Sequence, residues 1–390
     1  MSSTFTVHKT IAEINEKIRQ GKAVILNASE MTRLVRKEGK VKAARHVDVV
    51  TTGTFSPMCS SGLLFNIGQQ PPTIKTSKVW LNGVPCYAGL AAVDSYLGAT
   101  EPTEEDPLNK VYPGQFQYGG GHVIEDLVKG KRIHLKAEAY GTDCYPRKAI
   151  EKNISIHELR DAILLNPRNS YQNYNCAINK TNKLKYTYMG PLKSKIGNAN
   201  YATAGELSPL FNDPYFKTIG LGTKIFLGGG VGHVIGQGTQ HVPNPKRTER
   251  GLPLSASGTL MVKGDLKGMH PRYLRGVSIV GYGCSLAVGL GIPIPILNEE
   301  MAWFTGVADS DIQVPIADYG EDYPNGQPSP YGHVSFDQLK KGTIHIEGKE
   351  VPTTPLTSYT MSLEVAEELK RWIQEGRFFL TEAQEPIPAE

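Results

Sequence analysis

Three cysteines sit in loops whose composition suits thiol chemistry. In Tyr140-Gly-Thr-Asp-Cys-Tyr-Pro-Arg147, Cys144 follows Gly141 and precedes Arg147 by three residues. A loop thiol near a guanidinium is held partly as thiolate, the form that attacks electrophiles or carries transferable sulfur. The alternative is a small buried hydrophobe whose neighbouring arginine caps a carbonyl. Gly53-Thr-Phe-Ser-Pro-Met-Cys-Ser-Ser-Gly62 places Cys59 in a second loop. There backbone amides with Ser60 or Ser61 suit a carboxylate or phosphate, and a Ser/Gly turn around a buried thiol is the competing reading. Gly281-Tyr-Gly-Cys-Ser285 presents Cys284 beside glycine at the end of a third strand.

Two further stretches carry polar chemistry. Arg168-Asn-Ser-Tyr-Gln-Asn-Tyr-Asn-Cys176 is dense in amides and phenols. Asn169, Tyr171 and Asn173 are directed donors and acceptors of the kind that surround a polar amino-acid substrate. The run from Gly220 to His233, followed by Gly236-Gln-Gly-Thr-Gln-His241, combines a strand with clustered glycine and reads as an anion cradle. It matches neither a P-loop nor a dinucleotide fingerprint, so NAD is not expected. His233 and His241 titrate near neutral pH and are candidate general acids, with a structural role as the alternative for each.

These loops need elements to hold them. Ile133, Leu135, Ala137 and Ala139 alternate with polar residues, the period of a half-buried strand that ends at Gly141. A capping box at Thr10–Glu13 starts a helix that Gly21 closes. A strand at 23–26, a basic helix at 29–37 and a strand at 46–51 follow, an order that predicts a parallel αβ layer. Asn82-Gly83 marks a hairpin. The segment 99–121 reads as a flexible segment over a site or as a long surface loop. Ser155–Glu158 predicts a helix from Ile156 to Leu165. Pro293 and Pro295 exclude regular structure around them. An amphipathic helix from about Ser362 stops at Gly376, with a tail beyond. The fold class read from this pattern is mixed α/β, with a largely parallel N-terminal sheet and a glycine-rich, irregular second half. One catalytic domain spans 1–375, with two subdomains dividing near 150–200 and a tail at 376–390.

Composition narrows the function classes. The 390 residues carry a formal charge of +4, with basic residues scattered, which argues against nucleic acid. No apolar run reaches the ~18 residues of a membrane span, and no signal-peptide core opens the chain, so a cytoplasmic protein is expected. Five widely spaced cysteines then read as free thiols rather than a disulfide framework.

Several stretches together resemble the homocysteine-biosynthesis family: Gly141-Thr-Asp-Cys-Tyr-Pro-Arg147, Leu165 to Asn175, Gly197-Asn-Ala-Asn-Tyr201, Leu207-Ser-Pro-Leu-Phe-Asn-Asp213, Gly222 to Gly230 and Gly238-Thr-Gln-His241. The resemblance covers most of the chain. It implies a sulfurtransferase that inserts sulfur from a sulfide or persulfide donor into L-aspartate semialdehyde, giving homocysteine. By motif, Cys144 is the persulfide carrier, and Cys59 resolves the resulting disulfide or relays sulfur. His233 or His241 would protonate the oxyanion. Arg147 or Arg168 would pair with the substrate carboxylate, and the Asn/Tyr cluster would bind its ammonium group. A small ferredoxin-like partner would supply two electrons, and a homo-oligomer is expected. Relatives often carry a C-terminal pair of cystathionine-β-synthase-type modules. The sequence after the final helix shows none, so regulation through them is not expected. No cofactor is required by this reading. A rival within the enzyme class makes Cys59, Cys144 and Cys284 ligands of a [4Fe–4S] cluster whose open iron takes hydrosulfide. A non-catalytic scaffold binding the metabolite and the ferredoxin is the reading from a different class.

Overall fold

The structure is a computed structural model that describes residues 5–170, 172–326 and 331–388. Tyr171 lies outside the described residues. The fold is mixed α/β. Helix α1 (Ile11–Arg19) forms under the Thr10–Glu13 capping box and buries Ile14 and Ile18. Strands β1 (Ile25–Asn27) and β2 (Val49–Thr51) pair in parallel, joined by α2 (Ala28–Glu38) and α3 (Lys40–His46). Parallel pairing at this end of the chain goes no further than that pair. Parallel neighbours need a crossover of a dozen or more residues, and no helix separates the next strands: β3 (Thr54–Pro57), β4 (Gly62–Asn66), β5 (Thr76–Leu81), β6 (Val84–Cys86) and β7 (Asp94–Gly98).

Those strands enter antiparallel sheets instead. A 9-stranded sheet runs Leu274–Ile279, Gly283–Gly291, Lys224–Leu227, Gly230–Gln237, Leu260–Asp265, β10 (Asp161–Asn169), β4 and β7, with β3 pairing Gly283–Gly291. A 4-stranded sheet is ordered β6, β5, β8 (Ile133–Ala139) and β9 (Ala149–Ile154). A Tyr87–Tyr96 bridge joins it to β7, and both sheets share the main core with Leu63, Phe65, Leu97 and Leu135. A second core, including Cys176, Ile316 and Val351, lies under a 6-stranded sheet from the latter half of the chain.

Several sequence expectations change for local physical reasons. The Ser155–Glu158 capping box forms, yet only one 3-10 turn follows it, and 161–169 is strand β10 rather than helix. Ala162, Leu164 and Asn166 point inward at every second position, and both edges of the strand find partners in β4 and Leu260–Asp265. Pro167 is accommodated where the register shifts between Asn166 and Asn169. Pro293–Pro295 is a strand on β2, tolerated because it lies at the edge of its 3-stranded sheet. Gly228 and Gly229 have φ of 60° and 89° and form the two-residue turn of a hairpin, so the glycine run is not an anion cradle. Gly119, Gly120 and Gly121 are no flexible cover. They let the start of α4 (Gly120–Val128) pack against Cys284 and Ser285, where a Cβ would come within 2.5 Å of neighbouring atoms at all three positions. The final helix runs Tyr359–Gln374. Beyond it, Phe378, Leu380 and Ile387 are buried and Glu385–Pro386 pairs with Gly220–Leu221, so this end is part of the body rather than a tail.

Candidate active site

A cavity of about 470 Å³ opens between the 9-stranded sheet and a small cluster around Met189 and Tyr319. Its floor is the turn after β3, with Met58, Cys59 and Ser60. Arg168 and Ser170 enter from the end of β10, and Tyr174, Tyr188, Tyr282 and Tyr323 form one wall. Cys59 occupies the floor because β3 and β4 join different neighbours and the four residues between them must turn across the gap. Its Sγ accepts a hydrogen bond from the Ser285 hydroxyl at 3.2 Å. The Tyr282 phenol also bonds this sulfur, and burial followed by the charge of Cys59 pushes the phenol up to about 12.

Arg168 faces the same space. Its guanidinium is held by Gln240, another lining residue in the left-handed region at φ 60°. Ser60 Oγ lies 3.1 Å from both Asn166 Oδ1 and the Arg168 carbonyl, which fixes the turn to the strand end. The phenols form a chain: Tyr188 bonds both Tyr174 and Tyr319, and Asn175 donates to Tyr319. Burial first, then the neighbouring phenols, drives the Tyr188 pKa far upward, so this wall is neutral and donates hydrogen bonds.

The structure brings Cys59, Ser60 and Arg168 together and, among the described residues, leaves the other expected site residues elsewhere. Cys144 is exposed at the tip of the β8–β9 hairpin. Arg147 is not free to meet a substrate there: its backbone N–H donates to Thr73 and its guanidinium to the Pro71 carbonyl. Ser61 is buried and accepts from Asn166. Asn169 is fully buried and turned onto the Ser170 amide, while Asn173 donates to the Pro253 and Gln313 carbonyls. Both amides therefore stitch backbone instead of lining the cavity. His233 projects from the exposed face of its strand, opposite Lys224, with its pKa lowered by burial and by Lys224 and Lys263. His241 turns its Nδ1 to the Thr259 backbone and packs on Phe216. Neither histidine lines the cavity, because residues 230–237 alternate sides of an antiparallel strand and His241 sits beyond the turn that ends it. Sequence reasoning missed Tyr188, Tyr282, Tyr323, Gln240 and Ser285. The Gly281-Tyr-Gly-Cys-Ser285 motif held Tyr282 and Ser285, and Gly238-Thr-Gln-His241 held Gln240, but attention fell on Cys284 and His241.

The remaining thiols separate clearly. Ser285 reaches Cys59, so Cys284, one residue earlier on the strand, points to the other face. Its thiol donates to the Phe116 carbonyl, and burial pushes it up to about 11. Burial likewise pushes Cys176 up to about 12, and raises Cys86. A [4Fe–4S] cluster on Cys59, Cys144 and Cys284 does not fit this donor set. Among the described residues no group of three or more His, Cys, Asp or Glu side chains is placed to hold a metal.

The comparisons with known proteins agree with the motifs. Residues 23–380 match the family described as homocysteine biosynthesis enzyme, sulfur-incorporation. The chain belongs to this family. It is 48% identical over 389 residues to the L-aspartate semialdehyde sulfurtransferase of Methanocaldococcus jannaschii, covering 96% of this chain and 72% of that protein. It is 47% identical over 385 residues to the protein of the same name from Methanosarcina acetivorans, covering 98% and 73%. An uncharacterized protein of Methanothermobacter thermautotrophicus is 28% identical over 324 residues. No solved structure gives a significant match. No described helix is long and apolar enough to cross a membrane.

Proposed function

We propose that the chain is an L-aspartate semialdehyde sulfurtransferase forming homocysteine, with chemistry centred on Cys59. The observation that carries this reading is the placement of Cys59 and Arg168 on one cavity, a nucleophile and a carboxylate anchor facing the same space. Arg168 pairs with the substrate carboxylate. A persulfide on Cys59 attacks the aldehyde carbon, and Tyr282, held protonated beside the sulfur, donates a hydrogen bond to the developing oxyanion. A second thiol, Cys144, then attacks the Cys59 sulfur. The Cys59–Cys144 disulfide forms, and the substrate leaves as a thiolate still bearing the hydroxyl. Loss of water gives a thioaldehyde, which takes two electrons and two protons from a small ferredoxin-like partner. Hydrosulfide opens the disulfide and restores the Cys59 persulfide and the Cys144 thiol. The roles of carrier and resolving thiol are exchanged relative to the motif-based expectation, because Cys59 is the thiol that lines the cavity.

The test is anaerobic turnover of aspartate semialdehyde with sulfide and a reductant, on wild type, Cys59→Ala and Cys144→Ala, with iron assayed on the same samples. Homocysteine from wild type, lost in Cys59→Ala and with iron absent, is the expected result. No homocysteine under any condition sinks the reading. Iron that falls with either substitution restores the cluster alternative.

A further inference from the structure

Resting on that reading, the two thiols must meet, and the registers of the sheet keep them apart within one chain. At the cavity end, Ser61 and Gly62 are level with Ala99 and Gly98; the Tyr87–Tyr96 bridge carries the line into the neighbouring sheet, where Val84 of β6 pairs with Leu81 of β5 and Leu81 with Leu135 of β8. At the opposite end, Asn66 is level with Asp94, and Thr76 pairs with Ala139 just before the Cys144 turn. Five residue steps along β4 and four strand spacings from β4 to β8 come to about 16 Å by about 19 Å. A disulfide needs Cα atoms within about 7 Å. The hairpin tip is also pinned at its far end. Thr73 Oγ1 donates to the Cys144 carbonyl at 2.8 Å, the Arg147 amide donates to Thr73 at 3.1 Å, and Thr142 and Tyr145 bond each other across the turn.

We infer that Cys144 completes the site of a second copy of this chain, in a two-fold dimer that sets each hairpin tip at the cavity mouth of its partner. The two surfaces are complementary. Near Cys144 along the chain stand Tyr140, 84% exposed, and the cation Lys148, and Lys75 lies two residues beyond Thr73, which bonds the hairpin tip. Beside the mouth stands Tyr112, 85% exposed, with Val111 and Val280. Tyr112 packs on Tyr186, and Tyr186 lies against Gly281 next to the lining residue Tyr282. The acidic run Glu104-Glu105-Asp106 lies on the Cys284 side of the neighbouring strand, where the charge of Asp106 is felt. Basic and acidic patches at opposite ends of one chain meet twice when two copies lie antiparallel, which is an isologous contact. In each site the Cys144 thiolate of one copy attacks the Cys59 sulfur of the other. One interchain sulfur–sulfur bond forms, and the bond to the substrate-bound sulfur breaks with its electron pair.

Oxidation of the purified full chain with diamide tests the contact without any turnover. An interchain Cys59–Cys144 disulfide is expected, seen as a dimer on a non-reducing gel and as a linked peptide pair by mass spectrometry, and lost in Cys59→Ser and in Cys144→Ser. Lys148→Glu should remove the cross-link, and adding Glu105→Lys should restore it. Co-expressed Cys59→Ser and Cys144→Ser chains should recover about half the wild-type turnover in the mixed dimer, since one of its two sites keeps both thiols, while each parent falls at least about 100-fold. A monomeric protein, an intrachain Cys59–Cys144 link, or no recovery in the mixed dimer overturns the inference. A cross-linked dimer that makes no homocysteine would instead overturn the sulfurtransferase reading and leave the contact standing.

Discussion

Cys59 lies in a turn bridging two strands, under a wall of phenols and within reach of two hydroxyl donors, with Arg168 facing the same cavity. Cys144 lies on a hairpin tip among exposed residues, its nearby arginine engaged with the backbone of the 71–73 segment. The comparison separates two properties that a sequence motif merges. Access makes a thiol available to a partner, whereas a cavity with oriented donors makes it able to choose a substrate. Cys284 supplies the contrast to both: one residue from Ser285, yet facing the opposite side and held neutral by burial.

The largest effect that tests this division is at the sulfur itself. Cys59→Ser should lower kcat by about 1,000-fold or more, since a hydroxyl carries no persulfide. Cys284→Ala should change kcat by less than about threefold, at some loss of stability from the small void it leaves. Arg168→Met should raise KM for the aldehyde about 10–100-fold with a smaller change in kcat, the signature of a lost charge-assisted pair. Arg147→Met should leave KM unchanged and lower stability by about 1 kcal/mol through the lost hydrogen bond to the Pro71 carbonyl. Equal KM effects at the two arginines would erase the distinction between cavity and hairpin.

Tyr282→Phe should lower kcat about tenfold by removing the donor at the oxyanion. A phenol pushed up to about 12 is protonated throughout the neutral range, so wild type and variant should share the same pH profile below about pH 10. Ser285→Ala should slow alkylation of Cys59 by iodoacetamide about two- to fivefold and leave Cys144 unaffected. In the same labelling experiment Cys284 should stay unmodified at pH 8. Its raised pKa of about 11 means that the reactive thiolate is gained only as pH climbs toward that value.

Much of the local architecture was legible in the chain. The capping box at Thr10, the Asn82-Gly83 turn and the alternation from Ile133 to Ala139 are each satisfied by atoms a few residues apart, so sequence spacing is enough to read them. The Ser155 box was equally legible, and its helix failed only because two strands claimed the residues that follow. The site was legible in part. Cys59, Ser60 and Arg168 were chosen for their chemistry and do line the cavity, whereas Asn169, Asn173, His233 and His241 were chosen the same way and do not. An amide or imidazole has the same composition whether it faces a substrate or a carbonyl.

The sequence by itself determined the family, the locally capped or alternating elements and the set of thiols, because motifs and periodicities are properties of neighbours along the chain. Tertiary structure alone decided which thiol has a cavity, which arginine faces it, and that Cys59 and Cys144 stand at opposite ends of two neighbouring sheets. Those are properties of register and layer packing. A shift of a single residue in β10 or in Gly283–Gly291 would turn every side chain to the other face and exchange Cys284 for Ser285 beside Cys59.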